Sequence, residues 1–224
     1  MAIQPFNTTL IHKVLPSSAP GKDRHPALIL LHGRGTNEDD LLGLAQYLDP
    51  RFFVVSARAP FRFPYGGYTW YEIVEVGSPV TPQFEESYQR LSQFVVDVKA
   101  HYPVDPTRVF LLGFSMGSVM SFAVSLTKPE SVTGVVAHSG YIPENTSLRF
   151  QWDSLAGLSL FVAHGVHDQV ISIDHGRRAQ ALLAKTQAAL TYKEYPIAHS
   201  MSEESLSDLS LWLQTRLDVP PGKQ

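Results

Sequence analysis

A glycine-bounded serine lies near the middle of the chain, in the pattern Gly113-x-Ser115-x-Gly117. An apolar run comes directly before it and a helix-like pattern follows, which is the setting of a nucleophilic serine on a sharp strand-to-helix turn. The two glycines have no Cβ, so the strand and the helix can approach closely. The pattern indicates that the Ser115 hydroxyl is raised above the carboxyl ends of the strands, where it can attack a carbonyl carbon.

A serine hydroxyl is a poor nucleophile until a neighbouring base takes its proton. On this type of turn the acid and then the histidine follow the serine along the chain. His199 comes after the last apolar run, and Asp168 comes just after the run before it. We therefore predict His199 as the base and Asp168 as the carboxylate that orients its ring. Asp174 is the alternative acid, although the residues before it favour a helix start.

An oxyanion hole is the third requirement, because the tetrahedral intermediate carries negative charge on its oxygen. Met116, the residue after the serine, is expected to supply one backbone N–H. The loop His32–Gly35 follows an early apolar run and contains two glycines, so it can turn a second N–H toward Ser115. We assign that donor to Arg34, with Gly33 as the alternative.

The sequence also contains patterns that resemble a metal site and a dinucleotide site, but neighbouring residues disfavour both. His164 and His167 are spaced as metal ligands can be, but they lack the glutamate of a zinc-protease helix and adjoin a glycine turn. Gly33-x-Gly35 begins like a dinucleotide-binding loop, but Glu38 stands where the third glycine would be, and its charge would repel a pyrophosphate. We therefore expect no metal ion and no other cofactor.

Short apolar runs alternate with helix-like segments along the chain. Each run is rich in β-branched or aromatic residues and is bounded by Gly, Pro or Ser, as strands are. The predicted strands are Ala27–Leu31, Phe52–Ala57, Val109–Gly113, Gly134–His138, Leu158–His164 and Leu190–Tyr195. Asn7–Leu15 alternates like a further strand, antiparallel and at one edge of the sheet.

The segments between these strands repeat apolar residues at helical spacing, most clearly from Phe84 to Tyr102. The other predicted helices are Asp39–Tyr47, Met116–Thr127, Ile173–Gln187 and Met201–Leu217. Strands that alternate with helices predict a mostly parallel central sheet covered by helices on both faces. The pattern has no internal repeat or linker, so we expect one α/β domain over residues 1–224.

One connection, Arg58–Gln83, is long and rich in aromatic residues, glycine and proline. Long connections in compact domains often carry function, and this one is apolar enough to pack over a pocket. The predicted substrate-binding residues are Trp70, Tyr71, Phe114 and Tyr141. His138, at the end of a predicted strand, is expected in the pocket wall.

The composition is 44% hydrophobic and 17% charged, with a net charge of −3 and no cysteine. The charge argues against a nucleic-acid partner, and the lack of cysteine excludes disulfides, cysteine metal sites and a thiol nucleophile. Residues Met1–Leu15 lack the basic start and apolar run of a signal peptide, and no apolar stretch approaches a membrane span. We expect a cytoplasmic protein without stable membrane insertion.

Taken together, these motifs resemble the phospholipase/carboxylesterase family, which includes small bacterial carboxylesterases and acyl-protein thioesterases. The motifs that carry the resemblance are Leu31-His-Gly-x-Gly, Ala59-Pro, Trp70-Tyr71, Gly113-Phe-Ser-x-Gly and Ser139-Gly-Tyr-Ile-Pro. The resemblance spans nearly the whole chain. It implies an α/β-hydrolase fold without a large lid domain, which cleaves esters or thioesters without a metal or cofactor, and it suggests a homodimer.

Two positions depart from the family's pattern. Arg34 stands where thioesterase-like members usually have leucine, and Met116 stands where they have glutamine. Backbone donors survive both changes, but the acyl-binding surface differs, and Arg34 can favour an anionic group. We therefore predict a serine carboxylesterase that hydrolyses small to medium esters through an acyl-enzyme on Ser115. A lysophospholipase or acyl-(protein) thioesterase is the alternative, and a non-catalytic binding protein of this fold is a remote one.

Overall fold

The computed structural model describes residues 5–20, 23–73, 75–79 and 82–219. The predicted domain, residues 1–224, and the segment Met1–Leu15 include positions outside these ranges. The β-strands are His12–Leu15 (β1), His25–Leu31 (β2), Phe53–Ala57 (β3), Phe61–Arg62 (β4), Tyr68–Thr69 (β5), Val104–Phe114 (β6), Gly134–His138 (β7), Ser159–Gly165 (β8) and Ala189–Tyr195 (β9). The α-helices are Pro82–His101 (α1), Met116–Thr127 (α2), Ile173–Leu183 (α3) and Glu203–Asp218 (α4).

Seven of these strands form one sheet in the order β1-β3-β2-β6-β7-β8-β9. β1 is antiparallel to β3 at the edge, and every other neighbouring pair is parallel. Parallel neighbours need long crossover connections, and α2 and α3 lie in two of them. α1 lies in the connection from β3 to β6, which are on opposite sides of β2. The prediction of a mostly parallel sheet with one antiparallel edge strand is confirmed.

The residues of β2 alternate between two apolar cores. Ala27, Ile29 and Leu31 pack in the core that α1, α2 and α3 cover, whereas Leu28 and Leu30 pack in the core that α4 covers. Successive side chains of a strand point to opposite faces, so a strand buried on both faces reads as a continuous apolar run. Helices therefore cover both faces of the sheet, as predicted.

Two segments differ from their predicted form. The segment predicted as a helix at Asp39–Tyr47 forms a 3₁₀ helix at Leu41–Tyr47. The sequence does not show this difference, because apolar spacing over two turns does not distinguish a 3₁₀ helix from an α-helix. The long aromatic connection contains β4 and β5, which pair as a small antiparallel hairpin. These strands have two residues each, too few for an alternating pattern to be read.

The carboxyl ends of β2 and β6 lie side by side, with Leu31 opposite Gly113. The chain adds β3 on one side of β2 and β6 on the other, so the strand order reverses between β2 and β6. Ligands of open α/β sheets bind in the crevice at such a reversal. Among the described residues, no helix is long and apolar enough to cross a membrane.

Candidate active site

Ser115 lies between β6 and α2 on a strained turn, with φ of 55° and ψ of −119°. This left-handed φ is uncommon for a residue with a side chain. A Cβ on Gly117 would lie 1.9 Å from the carbonyl oxygen of Leu31, and one on Gly113 would lie 2.4 Å from the backbone of Gly117. Only glycine at these positions allows α2 to pack this closely against β2 and β6.

The Ser115 hydroxyl faces the imidazole of His199, which lies in the loop between β9 and α4. Its Oγ is 2.9 Å from Nε2 of the ring. The other ring nitrogen, Nδ1, is 2.7 Å from Oδ2 of Asp168. Because Nδ1 faces a carboxylate, it carries the ring proton, and Nε2 is left to accept the proton of the serine hydroxyl.

Asp168 follows β8, and its side chain is fully buried. Its Oδ1 accepts hydrogen bonds from the backbone N–H groups of Val170 and Ile171, each at 2.9 Å. These bonds hold the carboxylate so that Oδ2 points at His199. The alternative acid, Asp174, lies instead in the first turn of α3, where a serine hydroxyl caps its backbone N–H. The structure brings Asp168, and not Asp174, to the histidine.

The loop after β2 passes directly beside Ser115: a Cβ on Gly33 would lie 3.5 Å from the Cβ of the serine. Gly33, Arg34 and Met116 all line the cavity into which Ser115 opens. Met116 begins α2, where backbone N–H groups have no acceptor inside the helix and the helix dipole is positive. Both predicted sources of oxyanion donors therefore border the serine; within the loop, the choice of Arg34 over Gly33 stays a prediction.

The cavity at Ser115 has a volume of about 310 Å³. Its wall is mostly apolar. Besides Ser115 and residues of the predicted oxyanion loop, His32–Gly35, it includes Tyr71, Ile73, Val76, Phe114, Val119, Tyr141, Val170 and Ile171. Three of the four residues predicted to bind substrate are therefore in the wall. The volume is near the lower end of the range of about 300–1,000 Å³ seen for small-molecule sites, which suits a small or medium ligand.

A sequence model of the phospholipase/carboxylesterase family matches residues 16–217. The chain belongs to this family. Acyl-protein thioesterase 1 of Candida albicans is 27% identical over 216 residues, which cover 85% of this chain and 92% of that protein. A probable carboxylesterase, SOBER1-like, of Arabidopsis thaliana is 29% identical over 157 residues, which cover 66% of this chain and 59% of that protein.

Solved structures of carboxylesterases share the fold. The Bacillus cereus carboxylesterase matches with a TM-score of 0.82 and 23% identity, over 93% of this chain and 95% of that one. The Mesorhizobium loti carboxylesterase matches with a TM-score of 0.81 and 19% identity, over 93% and 96%. The predicted α/β-hydrolase fold is confirmed. Within the described residues, the connection from β3 to α1 carries only the short hairpin and no lid domain.

In this member of the phospholipase/carboxylesterase family, His32 ties the oxyanion loop to the segment after β3. Its Nε2 accepts a hydrogen bond from the N–H of Ala59 at 3.0 Å, so the proton is on Nδ1, which donates to the carbonyl of Gly33 at 2.6 Å. Burial lowers the pKa of His32 and keeps the ring neutral. The sequence indicates His32 only as part of the loop His32–Gly35, although its place between a buried strand and a glycine pair could have indicated this role.

Trp70 takes a different position from the one predicted for it. It is fully buried and is absent from the cavity wall, and its indole N–H donates to the carbonyl of His32 at 2.9 Å. Because the indole packs beneath the oxyanion loop, Trp70 supports that loop and does not face the cavity. Glu38, at the end of the same loop, forms a two-pronged ion pair with Arg58, with both contacts at 2.5 Å.

Two buried histidines lie behind the candidate active site. Nε2 of His164 donates to the carbonyl of Ile171 at 2.8 Å and lies 3.5 Å from Oδ2 of Asp168. His138 was expected in the pocket wall, but it is fully buried away from the cavity, with Nδ1 2.9 Å from the hydroxyl of Ser139. Burial lowers the pKa of both rings, that of His138 to about 3, so both are neutral near pH 7.

The two residues that depart from the family pattern both meet the aromatic connection. The guanidinium of Arg34 is exposed and lies 5.1 Å from the ring centre of Phe63. Among the described residues, no carboxylate forms an ion pair with Arg34. The sulfur of Met116 accepts a hydrogen bond from the hydroxyl of Thr69 at 3.4 Å. The cavity wall therefore carries the guanidinium of Arg34 and also the side chain of Asp40, and these two groups form no ion pair with each other.

Proposed function

We propose that this protein is a serine carboxylesterase that hydrolyses small to medium carboxylic esters through an acyl-enzyme on Ser115. The observation that carries the proposal is the continuous set of contacts from the Ser115 hydroxyl through the ring of His199 to the buried carboxylate of Asp168. These three side chains come from the ends of three different strands and meet at the mouth of an apolar cavity.

In the first half of the reaction, His199 takes the proton of the Ser115 hydroxyl as the oxygen attacks the ester carbonyl. The carbonyl π electrons move to its oxygen, and the N–H groups of Met116 and Arg34 hold the resulting oxyanion. Asp168 stabilises the imidazolium. The carbonyl re-forms, the bond to the alcohol oxygen breaks, and His199 gives its proton to the leaving alcohol, which leaves the acyl group on Ser115.

In the second half, a water molecule takes the place of the alcohol. His199 removes a proton from the water as its oxygen attacks the acyl-enzyme carbonyl, and the same backbone groups hold the second oxyanion. When this intermediate collapses, the bond to the Ser115 oxygen breaks, and the serine recovers its proton from His199. The products are one carboxylic acid and one alcohol for each water consumed, with the enzyme unchanged.

The choice of an ester over a long-chain thioester or lysophospholipid is supported by the cavity. Its volume of about 310 Å³ is small, and its mouth carries the exposed charge of Arg34 where thioesterase-like relatives usually have leucine. Acyl-protein thioesterases and carboxylesterases are both among the named relatives. A thioesterase or lysophospholipase therefore remains the alternative activity for the same three residues.

A labelling experiment tests the catalytic role of Ser115. A fluorophosphonate probe reacts with an activated serine hydroxyl by displacing fluoride, and the modified peptide is identified by mass spectrometry after digestion. We expect one adduct, at Ser115, which is lost in Ser115→Ala. Ser118→Ala is the control, because that hydroxyl donates to backbone carbonyls instead of to His199 and its variant should still be labelled. An unlabelled wild-type protein would favour the non-catalytic binding protein.

A substrate panel separates the esterase from its alternatives. The values of kcat/KM for p-nitrophenyl acetate and butyrate are compared with those for a long-chain lysophospholipid and a long-chain acyl thioester. We expect the short esters to be preferred. A higher value for the lysophospholipid or the thioester would keep the serine mechanism and replace the proposed substrate class.

We also propose a cytoplasmic location and a dimeric state for the enzyme. A chain without cysteine suits a reducing compartment such as the cytoplasm. We propose that residues 1–224 act as one domain and that two copies form a homodimer. Sedimentation equilibrium of the purified protein measures the mass of the assembly and tests the homodimer directly.

A further inference from the structure

Two tyrosines of the cavity wall meet through their hydroxyls. The hydroxyl oxygens of Tyr71 and Tyr141 are 3.1 Å apart, although the residues are 70 positions apart in the chain. Tyr71 is 1% exposed and Tyr141 is 4% exposed. Both rings are held in place, because Tyr71 packs edge-on against Phe84 and Tyr141 packs against His175.

The pair has one hydroxyl proton more than its own contacts use. Two phenols carry two hydroxyl protons, and their mutual hydrogen bond uses one of them. The backbone N–H of Gly77 lowers the pKa of Tyr141, and as a donor it can use only a lone pair of the phenol oxygen and not its proton. Whichever ring donates in the mutual bond, one O–H is left over, and among the described residues no further acceptor lies within hydrogen-bonding distance of it.

The surroundings make this spare donor significant. The cavity wall around the two tyrosines includes Ile73, Val76 and Val119, which offer no acceptor from their side chains. Burial raises the pKa of both tyrosines, that of Tyr71 well above its usual value, so both stay neutral hydroxyls at any ordinary pH. A buried donor without a partner is costly, and a ligand atom that satisfies it is favoured over one that does not.

We propose that the Tyr71–Tyr141 pair selects esters that carry a second oxygen acceptor, such as a ketone, ether or hydroxyl oxygen, in the part that fills the cavity. This inference rests on the proposed esterase function and narrows its substrate class. A plain alkyl chain would cover the spare hydroxyl without bonding to it, whereas an oxygen placed a few bonds from the scissile carbonyl accepts its proton. The pair thereby acts on specificity and takes no part in the chemical step.

Matched substrates and variants test this proposal. The substrates are p-nitrophenyl hexanoate and its 4-oxo and 5-oxo derivatives, in which the added oxygen is too far from the ester to change its reactivity much. The variants are Tyr71→Phe, Tyr141→Phe and the double variant, which keep the rings and remove the hydroxyls. Tyr88→Phe is the control, since it removes a partly buried hydroxyl that is bonded to Thr127, at the opposite end of α2 from Ser115.

The measured quantity is the ratio of kcat/KM for an oxo ester to that for the hexanoate. We expect one oxo ester to be preferred about tenfold by the wild type, the magnitude of one neutral hydrogen bond. In the double variant, which has neither hydroxyl, the ratio should fall to near one. Each single variant loses the mutual hydrogen bond but keeps one O–H without an acceptor, so it should still prefer the oxo ester, and Tyr88→Phe should keep the wild-type ratio. Thermal unfolding of each variant reports whether it is folded, and the ratio is independent of the folded fraction.

The outcomes separate the two proposals. If the wild type shows no preference for either oxo ester, or if the double variant keeps the wild-type preference, the specificity proposal is overturned, while hydrolysis of the hexanoate leaves the esterase proposal standing. If the wild type hydrolyses none of the three esters and Ser115 takes no fluorophosphonate label, the esterase proposal fails first, and the specificity proposal fails with it.

Discussion

Nδ1 of His199 lies 2.7 Å from Oδ2 of Asp168, and the carboxylate that makes this contact is shielded completely from solvent. Because Oδ2 is a buried acceptor that faces Nδ1, the proton of the imidazole is on Nδ1. The other carboxylate oxygen is held by two backbone N–H groups, so the carboxylate cannot rotate away. The direction in which the ring presents Nε2 to Ser115 is therefore set by the loop after β8.

Replacement of Asp168 by asparagine should lower kcat for a short ester by about 10⁴-fold, as such a change does in serine proteases, because the ring loses its preferred tautomer and the imidazolium loses its counter-charge. The kcat of purified Asp168→Asn measures this. Asp174→Asn is the matched control, since Asp174 lies nearby in α3 but does not contact His199; it should stay within about twofold of the wild type, as exposed substitutions usually do. Similar losses in both variants would contradict the assignment of Asp168.

Gly117→Ala should destabilise the protein by about 3 kcal/mol or prevent folding, since overpacking of this kind costs that much. Its new Cβ would lie 1.9 Å from the carbonyl oxygen of Leu31, which is backbone and cannot move aside cheaply. Gly157→Ala is the control, because nothing lies within 4 Å of a Cβ at that position. Urea unfolding compares the two, and equal stabilities would show that α2 can shift away from β2.

Arg34→Leu should change substrate preference more than turnover of neutral esters. The backbone N–H at position 34 is retained, but the exposed positive charge at the cavity mouth is lost. We expect kcat/KM for a monoester of a dicarboxylic acid to fall about fivefold relative to a neutral ester of equal length, which corresponds to about 1 kcal/mol for an exposed charge pair. An unchanged ratio would show that the guanidinium does not reach the substrate.

The free energy of unfolding should decrease as the pH falls below about 6.5. Burial holds the pKa of His138 in the folded protein at about 3, whereas in the unfolded chain it returns to about 6.5. Between these values the unfolded state binds the extra proton, so acid favours unfolding, with a slope of up to about 1.4 kcal/mol per pH unit for this residue. The lowered pKa values of His32 and His164 act in the same direction.

Urea unfolding of the wild type and of His138→Asn between about pH 6.5 and 5 checks this linkage. The variant cannot take up a proton at position 138, so its stability should fall less steeply with acid than that of the wild type. The comparison uses slopes, and a lower overall stability of the variant does not affect it. Parallel slopes would show that His138 does not contribute to the acid sensitivity.

The sequence by itself determined the seven strands of the main sheet, the four α-helices and the fold class, but not the short strands β4 and β5 or the 3₁₀ form of Leu41–Tyr47. Each feature that it determined depends on neighbours in the chain: β2 is a continuous apolar run because it is buried on both faces, and Gly113 and Gly117 bound Ser115 within five residues. The chain order of serine, acid and histidine then indicated Asp168 and His199 as partners, since parallel strands bring their carboxyl ends to one edge.

Only the tertiary structure decided how side chains far apart in the chain face one another. Trp70 lies under the oxyanion loop, although its neighbour Tyr71 lines the cavity, and His138 lies behind the cavity. Tyr71 and Tyr141 meet through their hydroxyls across 70 positions. These placements depend on packing between distant elements and on side-chain directions, which hydrophobic periodicity does not encode, because it reports which face of an element is buried and not against what.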